Sequence, residues 1–462
     1  MKSSSKPAKD QTAKPKSAPD PVRVGMLSLG CAKTLVDSEV ILGKLGGNEA
    51  YRLVPDVSDC DVALLNTCAF IGDAQKESVD RILQLVQWKK EKRVKAVVVM
   101  GCLVQRFPDE LQKEIREVDA FIGSGEYAKI PEIVARVTGG QRVVSLGHPG
   151  YLVTAQDSRV ALTPKFSRYV KISEGCDHVC TFCTIPTFRG KHRSRTIEDV
   201  ETEVRTLAAF GAKEIILTGQ DTTFFGRDHS GKFQLPELLQ RLEQVEGVEW
   251  IRLLYAYPAC VTQELMDTLR NSSKIVPYLD MPLQHASDAM LSAMRRGITK
   301  RRTADLLKKF RDTVPGLAIR TTFIVGFPGE SDRDFQELLD FMKEMRFERA
   351  GIFRYSQEEG SPAGAMKDQI PEKLKQSRYD EAMGLQQTIS RKFHKAQVGK
   401  TFRTLIERPA DGKSGLWKGR STMDAPDVDG SVFVRSDSSL QPGTFHEVKI
   451  TSSTDYDLYG EL

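Results

Sequence analysis

The chain has 462 residues, 40% of them hydrophobic and 28% charged, as expected of a globular protein with two or three domains. No run of eighteen or more apolar residues occurs, so the sequence predicts no transmembrane helix. The formal net charge is +5, of which the first 21 residues carry +3. The remainder is near neutral, which excludes a whole-protein electrostatic argument for nucleic-acid binding.

The first 21 residues are rich in Lys, Ser, Pro and Ala and lack the apolar segment of a secretory signal. This composition predicts a disordered basic tail. The eight cysteines are therefore expected to be reduced thiols of a cytoplasmic protein rather than disulfides. Each of them then needs an explanation as a metal ligand, a catalytic group or a buried apolar side chain.

Residues 22–140 alternate strand patterns with helical segments, which predicts a doubly wound α/β domain with a parallel sheet. Three strands, VRVGMLSL, DVALLN and KAVVVM, are each followed by a cysteine, in the contexts SLGC, NTC and MGC. The carboxyl ends of parallel strands lie along one edge of a sheet, so these cysteines are expected to converge there. The alternative is three separate buried apolar cysteines. The three residues are Cys31, Cys68 and Cys102.

Residues 162–396, reached through a linker at 141–161, contain six strand patterns separated by helical segments, which predicts an open (β/α)6 partial barrel. A long polar-faced helix with Pro371 in its first turn ends this region. Residues 397–462 change to short alternating strands broken by Gly, Pro and Asp, which predicts a small antiparallel β-barrel. The strand candidates of the central region are 168–173, 214–219, 250–258, 276–282, 317–326 and 350–356.

The stretch EGCDHVCTFCTIP directly follows the first strand of the partial barrel and contains Cys176, Cys180 and Cys183. Active sites of barrels gather at this end of the strands, and thiolates select zinc or iron–sulfur clusters. A zinc site would need a fourth ligand, for which His178 and His192 are available. A [4Fe–4S] cluster held by three thiolates would instead leave one iron open to a ligand from outside the protein. Neither pattern includes Cys60 or Cys260, and we expect neither of these to bind metal.

The C-x3-C-x2-C spacing, with Phe182 before the last cysteine, resembles the signature of radical S-adenosylmethionine enzymes. In that family S-adenosylmethionine chelates the open iron and is cleaved to methionine and a 5′-deoxyadenosyl radical. TGQD at 218–221 stands where the family commonly has Gly-Gly-Glu, and FIVGFPGE at 323–330 resembles a later motif of the family from Gly326 onward. The resemblance implies cofactor contacts at Gly219, Gln220 and Gln284.

Two three-cysteine sets and a terminal small barrel narrow the resemblance to the methylthiotransferases, over essentially all of the chain after residue 21. Their order is a cluster domain, a radical S-adenosylmethionine domain and a TRAM barrel. The resemblance implies a first [4Fe–4S] cluster at Cys31, Cys68 and Cys102 that presents sulfur. It implies a second cluster at Cys176, Cys180 and Cys183 that makes the radical. A C–H bond becomes C–S–CH3, two S-adenosylmethionine molecules are consumed, and a sulfur donor and an electron-donor protein are implied.

Three further stretches resemble the branch that modifies the β-carbon of an aspartate in the small-subunit ribosomal protein S-twelve. They are NTCAFIGDAQKES (66–78), YLDMPLQHASDAML (278–291) and GRSTMDAPDVDG (419–430). The alternative branch modifies an adenosine in tRNA and would carry Ser-Gly where Gln284 is followed by His285 and Ala286. No substrate-binding residue is assigned by the sequence.

The charge of the C-terminal region gives a separate indication of whether the partner is a protein or a nucleic acid. Residues 397–462 contain eight Lys and Arg against ten Asp and Glu, a net charge of −2. A barrel that tracked a phosphate backbone should have a basic face, whereas an acidic balance suits a basic ribosomal protein. The cluster of Asp424, Asp427 and Asp429 would contact that partner or form a solvated turn. The basic run RGKHRSR (189–195) would guide an acidic target or the cofactor carboxylate, or form a solvated loop.

Overall fold

The computed structural model describes residues 20–412 and 414–462, so most of the predicted basic tail lies outside the described residues. The N-terminal unit is a six-stranded, all-parallel sheet with the order β2-β1-β3-β4-β5-β6. Its strands are β1 (Val22–Ser28), β2 (Tyr51–Leu53), β3 (Val62–Thr67), β4 (Ala96–Gly101), β5 (Ala120–Ile122) and β6 (Val143–Ser145). Its helices are α1 (Ala32–Gly46), α2 (Gly72–Lys90), α3 (Cys102–Arg106), α4 (Pro108–Glu114) and α5 (Ile130–Thr138).

The burial of strands β3 and β4 shows that this sheet is covered on both faces. All six residues of each strand are buried, as the near-continuous apolar sequences of parallel strands require. Leu65 and Val99 pack into a core with α2 and α3, whereas Leu64 and Val98 pack into a second core with α1 and α5. Helices on both faces of a parallel sheet confirm the predicted doubly wound fold.

The central unit consists of two three-stranded parallel sheets, β11-β10-β7 and β12-β13-β14. A single parallel bridge between Ile251 and Ile275 connects them, and β7 and β14 form the two outer edges of this open (β/α)6 barrel. A short hairpin, β8 (Ser173–Glu174) with β9 (Arg193–Ser194), follows the first strand. The six barrel strands are β7 (Ser167–Lys171), β10 (Glu214–Thr218), β11 (Trp250–Leu253), β12 (Tyr278–Asp280), β13 (Ala318–Val325) and β14 (Arg349–Arg354).

Helices alternate with the strands of the central unit. They are α6 (Ile185–Arg189), α7 (Ile197–Ala209), α8 (Arg227–Ser230), α9 (Leu235–Glu243), α10 (Gln263–Asn271), α11 (Asp288–Ala293), α12 (Lys300–Thr313), α13 (Asp332–Met345) and α14 (Glu372–Lys395). The predicted long helix is α14, but Pro371 precedes it as the N-cap instead of lying in its first turn. Its ψ of 142° is extended, so the helix starts only at Glu372.

The C-terminal unit is a closed five-stranded barrel in the order β15-β16-β17-β19-β18. It is antiparallel except for the parallel pair β17–β19, because an odd number of strands cannot alternate in direction around a closed ring. The strands are β15 (Thr401–Pro409), β16 (Leu416–Arg420), β17 (Val432–Arg435), β18 (Phe445–Ser453) and β19 (Leu458–Glu461).

This small barrel packs against the interior of the open central barrel. Trp250 and Tyr278 of the central strands share one apolar core with Leu405 and Val448 of the small barrel. Within the described ranges, 20–412 and 414–462, no helix is long and apolar enough to span a membrane.

Candidate functional site

The first three-cysteine set lies at the carboxyl ends of β1, β3 and β4. Cys31 is the N-cap of α1, and Cys102 is the first residue of α3. A Cβ atom placed on Gly30 would lie 3.1 Å from Cys68 Sγ, so the Cys68 thiol packs directly against the segment that carries Cys31. The structure therefore brings the set to one edge of the sheet.

The three thiols are close enough to affect one another's ionisation. Burial, opposed by the Arg189 guanidinium, raises the pKa of Cys102 to about 12, and charges on Cys68 and Cys31 act in the same direction as burial. Burial and the charge of Cys31 also raise the pKa of Cys68. Burial opposes ionisation of Cys31 too, but the Lys33 ammonium and other favourable contacts outweigh it and lower that pKa. A bound cation would allow all three to ionise together.

Glycine precedes two of these cysteines for a steric reason. Gly30 and Gly101 have φ values of +91° and +96°, which disfavour any side chain. A Cβ atom on Gly101 would also lie only 2.2 Å from Asn66 Oδ1. The Gly-Cys pairs at the ends of β1 and β4 thus let the chain turn sharply and present each thiol at the sheet edge.

The second set lies in one loop whose two ends are held together by the β8–β9 hairpin. The Cys176 amide donates to Gly190 O at 3.1 Å, and the Cys183 amide donates to Cys180 O at 3.1 Å. Burial raises the pKa of Cys176 and that of Cys183 to about 12, and neighbouring cysteine charges act in the same direction. The loop therefore holds its three thiols near one another at the mouth of the barrel.

The residues of both sets fit the soft-metal clusters that the sequence predicts. All eight cysteines are free thiols, and in each set the thiols lie close enough to affect one another's pKa. Buried oxygens with no hydrogen-bond partner among residues 20–412 and 414–462 also gather at the barrel mouth, which suits a polar ligand there. They include Ser173 Oγ, Thr218 Oγ1, Gln220 Oε1 and Gln284 Oε1.

The three predicted cofactor-contact residues lie at the ends of barrel strands. Gly219 follows β10, and a Cβ atom there would lie 2.5 Å from Ser173 Oγ, so the backbone approaches β8 closely. Gln220 Nε2 donates to Glu174 Oε1 at 2.8 Å. Gln284 follows β12 with a φ of +76°, and its backbone bridges to Phe323 of β13. That strained backbone conformation at a barrel mouth is typical of functional positions.

The later motif, FIVGFPGE, forms a turn with an evident structural role. Glu330 accepts a hydrogen bond from the Gly326 amide at 2.9 Å and another from Arg378 of α14 at 2.8 Å. A Cβ atom on Gly326 would collide with Lys375. The turn therefore anchors α14 to the end of β13.

The basic run at 189–195 is not a solvated loop, because Arg189, His192 and Arg195 are all buried. Arg195 pairs with Asp199 and Glu203 of α7. The guanidinium of Arg189 reaches the first cysteine set and donates to Cys102 Sγ from Nε at 3.2 Å and from Nη2 at 3.0 Å.

Sequence reasoning missed the charge network around Arg189. Its Nη1 atom donates to Asp37 Oδ2 at 2.9 Å and to Glu174 Oε2 at 3.3 Å. Lys171 pairs with the same two carboxylates. Asp37 belongs to the N-terminal unit and the other three to the central unit, so no local pattern could reveal their convergence.

A second buried arginine contacts the other cysteine set. Arg296 Nη1 donates to Cys180 Sγ at 3.3 Å, and its guanidinium stacks on the Tyr257 ring at 4.3 Å. The Tyr257 ring also stacks on His178 of the cysteine loop, with ring centroids 3.6 Å apart. Tyr257 thus contacts both the cysteine loop and the arginine that donates to its sulfur.

The two histidines considered as zinc ligands have other partners. His178 Nε2 forms a hydrogen bond of 2.6 Å with Asp221 Oδ2, and His192 Nε2 contacts Ser194 Oγ at 3.0 Å. The ligand atoms of His178, Asp221 and Cys260 lie within 4.8 Å of one another, which is a possible metal-binding geometry. Asp221 Oδ1 already accepts from Thr223, and our expectation that Cys260 binds no metal stays a prediction.

A cavity of about 330 Å³ opens beside the first set and is lined by all three units. Lys33 stacks on one of its walls, the Tyr255 ring, at 3.4 Å and donates to Gly219 O at 3.3 Å. It therefore ties the first cysteine loop to the barrel mouth. The polar and sulfur-bearing lining includes Cys31, Tyr169, Tyr255, Asp280, Arg320 and Asp427.

The acidic cluster of the small barrel divides into two groups. Asp424 is buried and pairs with Arg349, and Asp429 accepts from Tyr278 Oη at 2.6 Å. These two carboxylates anchor the small barrel to the central one, so the expectation of a contact surface or a solvated turn is wrong for both. Asp427, with a φ of +66°, lies at the cavity.

Comparison with protein families divides the chain into three matched segments. Residues 23–123 match the uncharacterized protein family UPF0004. Residues 170–342 match the radical SAM superfamily, and residues 398–462 match the TRAM domain. The arrangement agrees with the three units of the fold.

Solved structures share the fold at low sequence identity. A radical S-adenosylmethionine methyltransferase, TsrM from Kitasatospora setae, superimposes with a TM-score of 0.58 at 13% identity, covering 80% of this chain and 89% of that one. The cobalamin-dependent S-adenosylmethionine radical enzyme OxsB gives 0.50 at 13% identity, covering 80% of this chain and 56% of the other. These similarities concern architecture alone.

Curated relatives match over nearly the whole length. The ribosomal protein uS12 methylthiotransferase RimO of Pelotomaculum thermopropionicum is 46% identical over 95% of this chain and 99% of its own. RimO of Desulforamulus reducens is 44% identical with the same coverage. RimO of Caldanaerobacter subterraneus subsp. tengcongensis is 46% identical over 95% of this chain and 99% of its own. The chain therefore belongs to the RimO family of radical S-adenosylmethionine methylthiotransferases.

Proposed function

We propose that this protein converts a C–H bond to C–S–CH3 at the β-carbon of an aspartate in ribosomal protein uS12. The curated relatives carry the name of a uS12 methylthiotransferase, and they align with 95% of the chain. The three units and the two sets of thiols support the same proposal.

Each three-cysteine set would hold one [4Fe–4S] cluster through Cys31, Cys68 and Cys102 or through Cys176, Cys180 and Cys183. Three thiolates leave one iron of each cluster without a protein ligand. When bound, the cofactors supply the radical and the sulfur, with electrons and sulfur delivered by a donor protein and a sulfur source. Gly219, Gln220 and Gln284 would orient S-adenosylmethionine, and the buried barrel mouth would keep water away from the radical.

The observation that carries this proposal is a contact between the segment that follows the second set and a cysteine of the first set. Arg189 follows Cys183 by six positions, yet it donates two hydrogen bonds to Cys102 of the other set. The sites therefore face one shared interface. Sulfur insertion requires such proximity, because the carbon that loses its hydrogen at one site must receive sulfur from the other.

Protein is favoured over tRNA as the substrate by charge and by local sequence. The small barrel has a net charge of −2, opposite in sign to what a phosphate backbone attracts. His285 and Ala286 stand where the tRNA branch is expected to have Ser-Gly.

Incubating the reduced enzyme with S-adenosylmethionine, sulfide and either uS12 or bulk tRNA tests the substrate. We expect tandem mass spectrometry to find a methylthio group on one aspartate of uS12. A methylthiolated adenosine in the tRNA, with unmodified uS12, would contradict the proposal. Anaerobic enzyme should contain about eight irons per chain, as two four-iron clusters require.

A further inference from the structure

Arg189 is buried and connects the segment that follows the second cysteine set to a cysteine of the first. It is the last residue of α6, the helix that directly follows the second cysteine set. Its Nε and Nη2 atoms nevertheless both donate to Sγ of Cys102, which belongs to the first cysteine set. An arginine that donates two charge-assisted hydrogen bonds to one sulfur stabilises negative charge on that sulfur.

The third nitrogen of the same guanidinium leads toward the predicted cofactor site. Arg189 Nη1 donates to Glu174 Oε2 at 3.3 Å, and the other oxygen of that carboxylate accepts from Gln220 Nε2 at 2.8 Å. Gln220 Oε1 is buried and has no partner within the described ranges, 20–412 and 414–462. A continuous hydrogen-bonded chain thus connects Cys102, through Arg189 and Glu174, to an amide oxygen free to accept from a ligand.

A contact between an arginine and a cysteine ligand affects the reduction potential of the cluster that the cysteine holds. Hydrogen bonds to the sulfur ligands of an iron–sulfur cluster are among the factors that set its reduction potential. A cationic donor favours the more negative reduced state and so raises the potential. Arg296 makes a comparable single contact to Cys180 of the second set, which provides an internal control.

We propose that Arg189 is a positioning residue that sets the reduction potential of the first cluster and makes it respond to ligand binding at the second. The proposal rests on the proposed function, because it takes both thiol sets to be cluster sites. Ligand contact at Gln220 shifts the Glu174 carboxylate, the Arg189 guanidinium moves with it, and its hydrogen bonds to Cys102 Sγ change. The first cluster thereby responds to occupancy of the S-adenosylmethionine site without touching it.

The test is an EPR-monitored redox titration of the full-length enzyme with both clusters, with and without S-adenosylhomocysteine, which binds without being cleaved. The first-cluster signal is identified as the one that persists when Cys176, Cys180 and Cys183 are replaced by Ala. In the wild type we expect the potential of this signal to shift when the ligand is added.

Arg189→Gln removes the cation while keeping a polar side chain. We expect the reduced-to-oxidised ratio of the first cluster at a fixed potential to fall at least tenfold, which is about 59 mV for a one-electron couple. The ligand-induced shift should disappear. The control Arg296→Gln should lower the potential of the second cluster and leave that of the first unchanged.

A second variant keeps the test decisive if Arg189→Gln assembles poorly. Glu174→Ala removes both carboxylate oxygens, so it breaks the link between Arg189 and Gln220 but leaves the hydrogen bonds from Arg189 to Cys102. It should therefore abolish the ligand-induced shift. An unchanged shift in Glu174→Ala, or unchanged potentials in Arg189→Gln, would overturn the proposal. Failure of the proposed function would be visible separately, as wild-type enzyme that lacks two clusters or does not modify uS12.

Discussion

Burial alone does not distinguish cluster ligands from structural cysteines in this chain. Cys180 and Cys260 are each 8% exposed and lie in one small apolar cluster with Tyr257. Their partners differ: Cys180 has two neighbouring thiols and a hydrogen bond from Arg296, whereas Cys260 lies beside Asp221. A metal-binding assignment therefore depends on which groups converge rather than on how deeply each is buried.

This pair of cysteines provides the first prediction. Cys180→Ala should abolish cleavage of S-adenosylmethionine to methionine and 5′-deoxyadenosine, because it removes one of three ligands of the second cluster. Iron should fall from about eight to about four per chain, since the first cluster is held elsewhere. Chromatography of the cleavage products and an iron assay measure both effects.

The matched control is Cys260→Ala, which removes an equally buried sulfur from the same apolar cluster. It should retain both clusters and the cleavage activity. Loss of iron in this control would mean that Cys260 is a ligand after all. Loss of all eight irons in Cys180→Ala would mean that the two sites do not assemble independently.

At the scale of elements, the junctions between strand and helix decide where the thiols lie. Gly101 connects β4 to α3 with a positive φ, and Asn66 fills the space beside it. Asn66 Nδ2 in turn donates to Thr34 O and Ser38 Oγ of α1. One amide side chain thus links the junctions that carry Cys31 and Cys102.

The second prediction concerns the combined backbone strain and steric overlap that a side chain would cause at this junction. Gly140→Ala, at a φ of +81° with open space around it, should cost only the strain of a left-handed residue, about 1–2 kcal/mol. Gly101→Ala should cost about 1–3 kcal/mol more, because its φ of 96° and ψ of −152° lie in a region almost restricted to glycine and because its Cβ would also overlap Asn66 Oδ1. Thermal unfolding measures the difference. Selective loss of iron from the first cluster would accompany it, and equal effects of the two substitutions would contradict this account.

The elements were more predictable than the contacts between them. Apolar patterns and the repeated strand-then-cysteine order indicated the parallel sheet and the edge where Cys31, Cys68 and Cys102 meet. Asp424 was interpreted as part of an exposed acidic cluster because its partner, Arg349, lies 75 residues away in the sequence. Arg189 was likewise placed in a basic run, since nothing local indicates its contact with Cys102. Ion pairs between units depend on tertiary packing that periodicity does not encode.

At the scale of the whole molecule, buried ion pairs fasten the small barrel to the central one. Glu214 of β10 accepts from Arg252 at 3.0 Å and from Arg420 of β16 at 3.1 Å. Burial opposes ionisation, but the two guanidinium groups outweigh it and lower the pKa of Glu214 to about 2. A carboxylate whose pKa is lower in the folded state stabilises that state only while it is ionised.

The third prediction concerns how the packing of the small barrel against the central barrel depends on pH. The ordinary pKa of Glu is about 4.3, so the contribution of Glu214 is fully present above that value and is lost as the pH falls toward 2. Its size is about 3 kcal/mol, from a shift of about two pKa units. Trp250 packs edge-to-face on Phe445 of the small barrel, with ring centroids 4.8 Å apart, so its fluorescence should report separation of the two units.

Glu214→Gln should lower the denaturant concentration at the midpoint of the unfolding transition that Trp250 reports at pH 7. Two buried guanidinium groups lose their counter-ion in this variant, and breaking a buried ion pair costs about 3–5 kcal/mol. Its midpoint should also depend less on pH between 4.5 and 2 than that of the wild type, since the titrating carboxylate is gone. Glu246→Gln, at an exposed position, should match the wild type at both ends of this range. If Glu214→Gln retained the full acid sensitivity of the wild type, the pH dependence of docking would have to arise from another carboxylate at the interface with a lowered pKa, such as Asp424 beside Arg349.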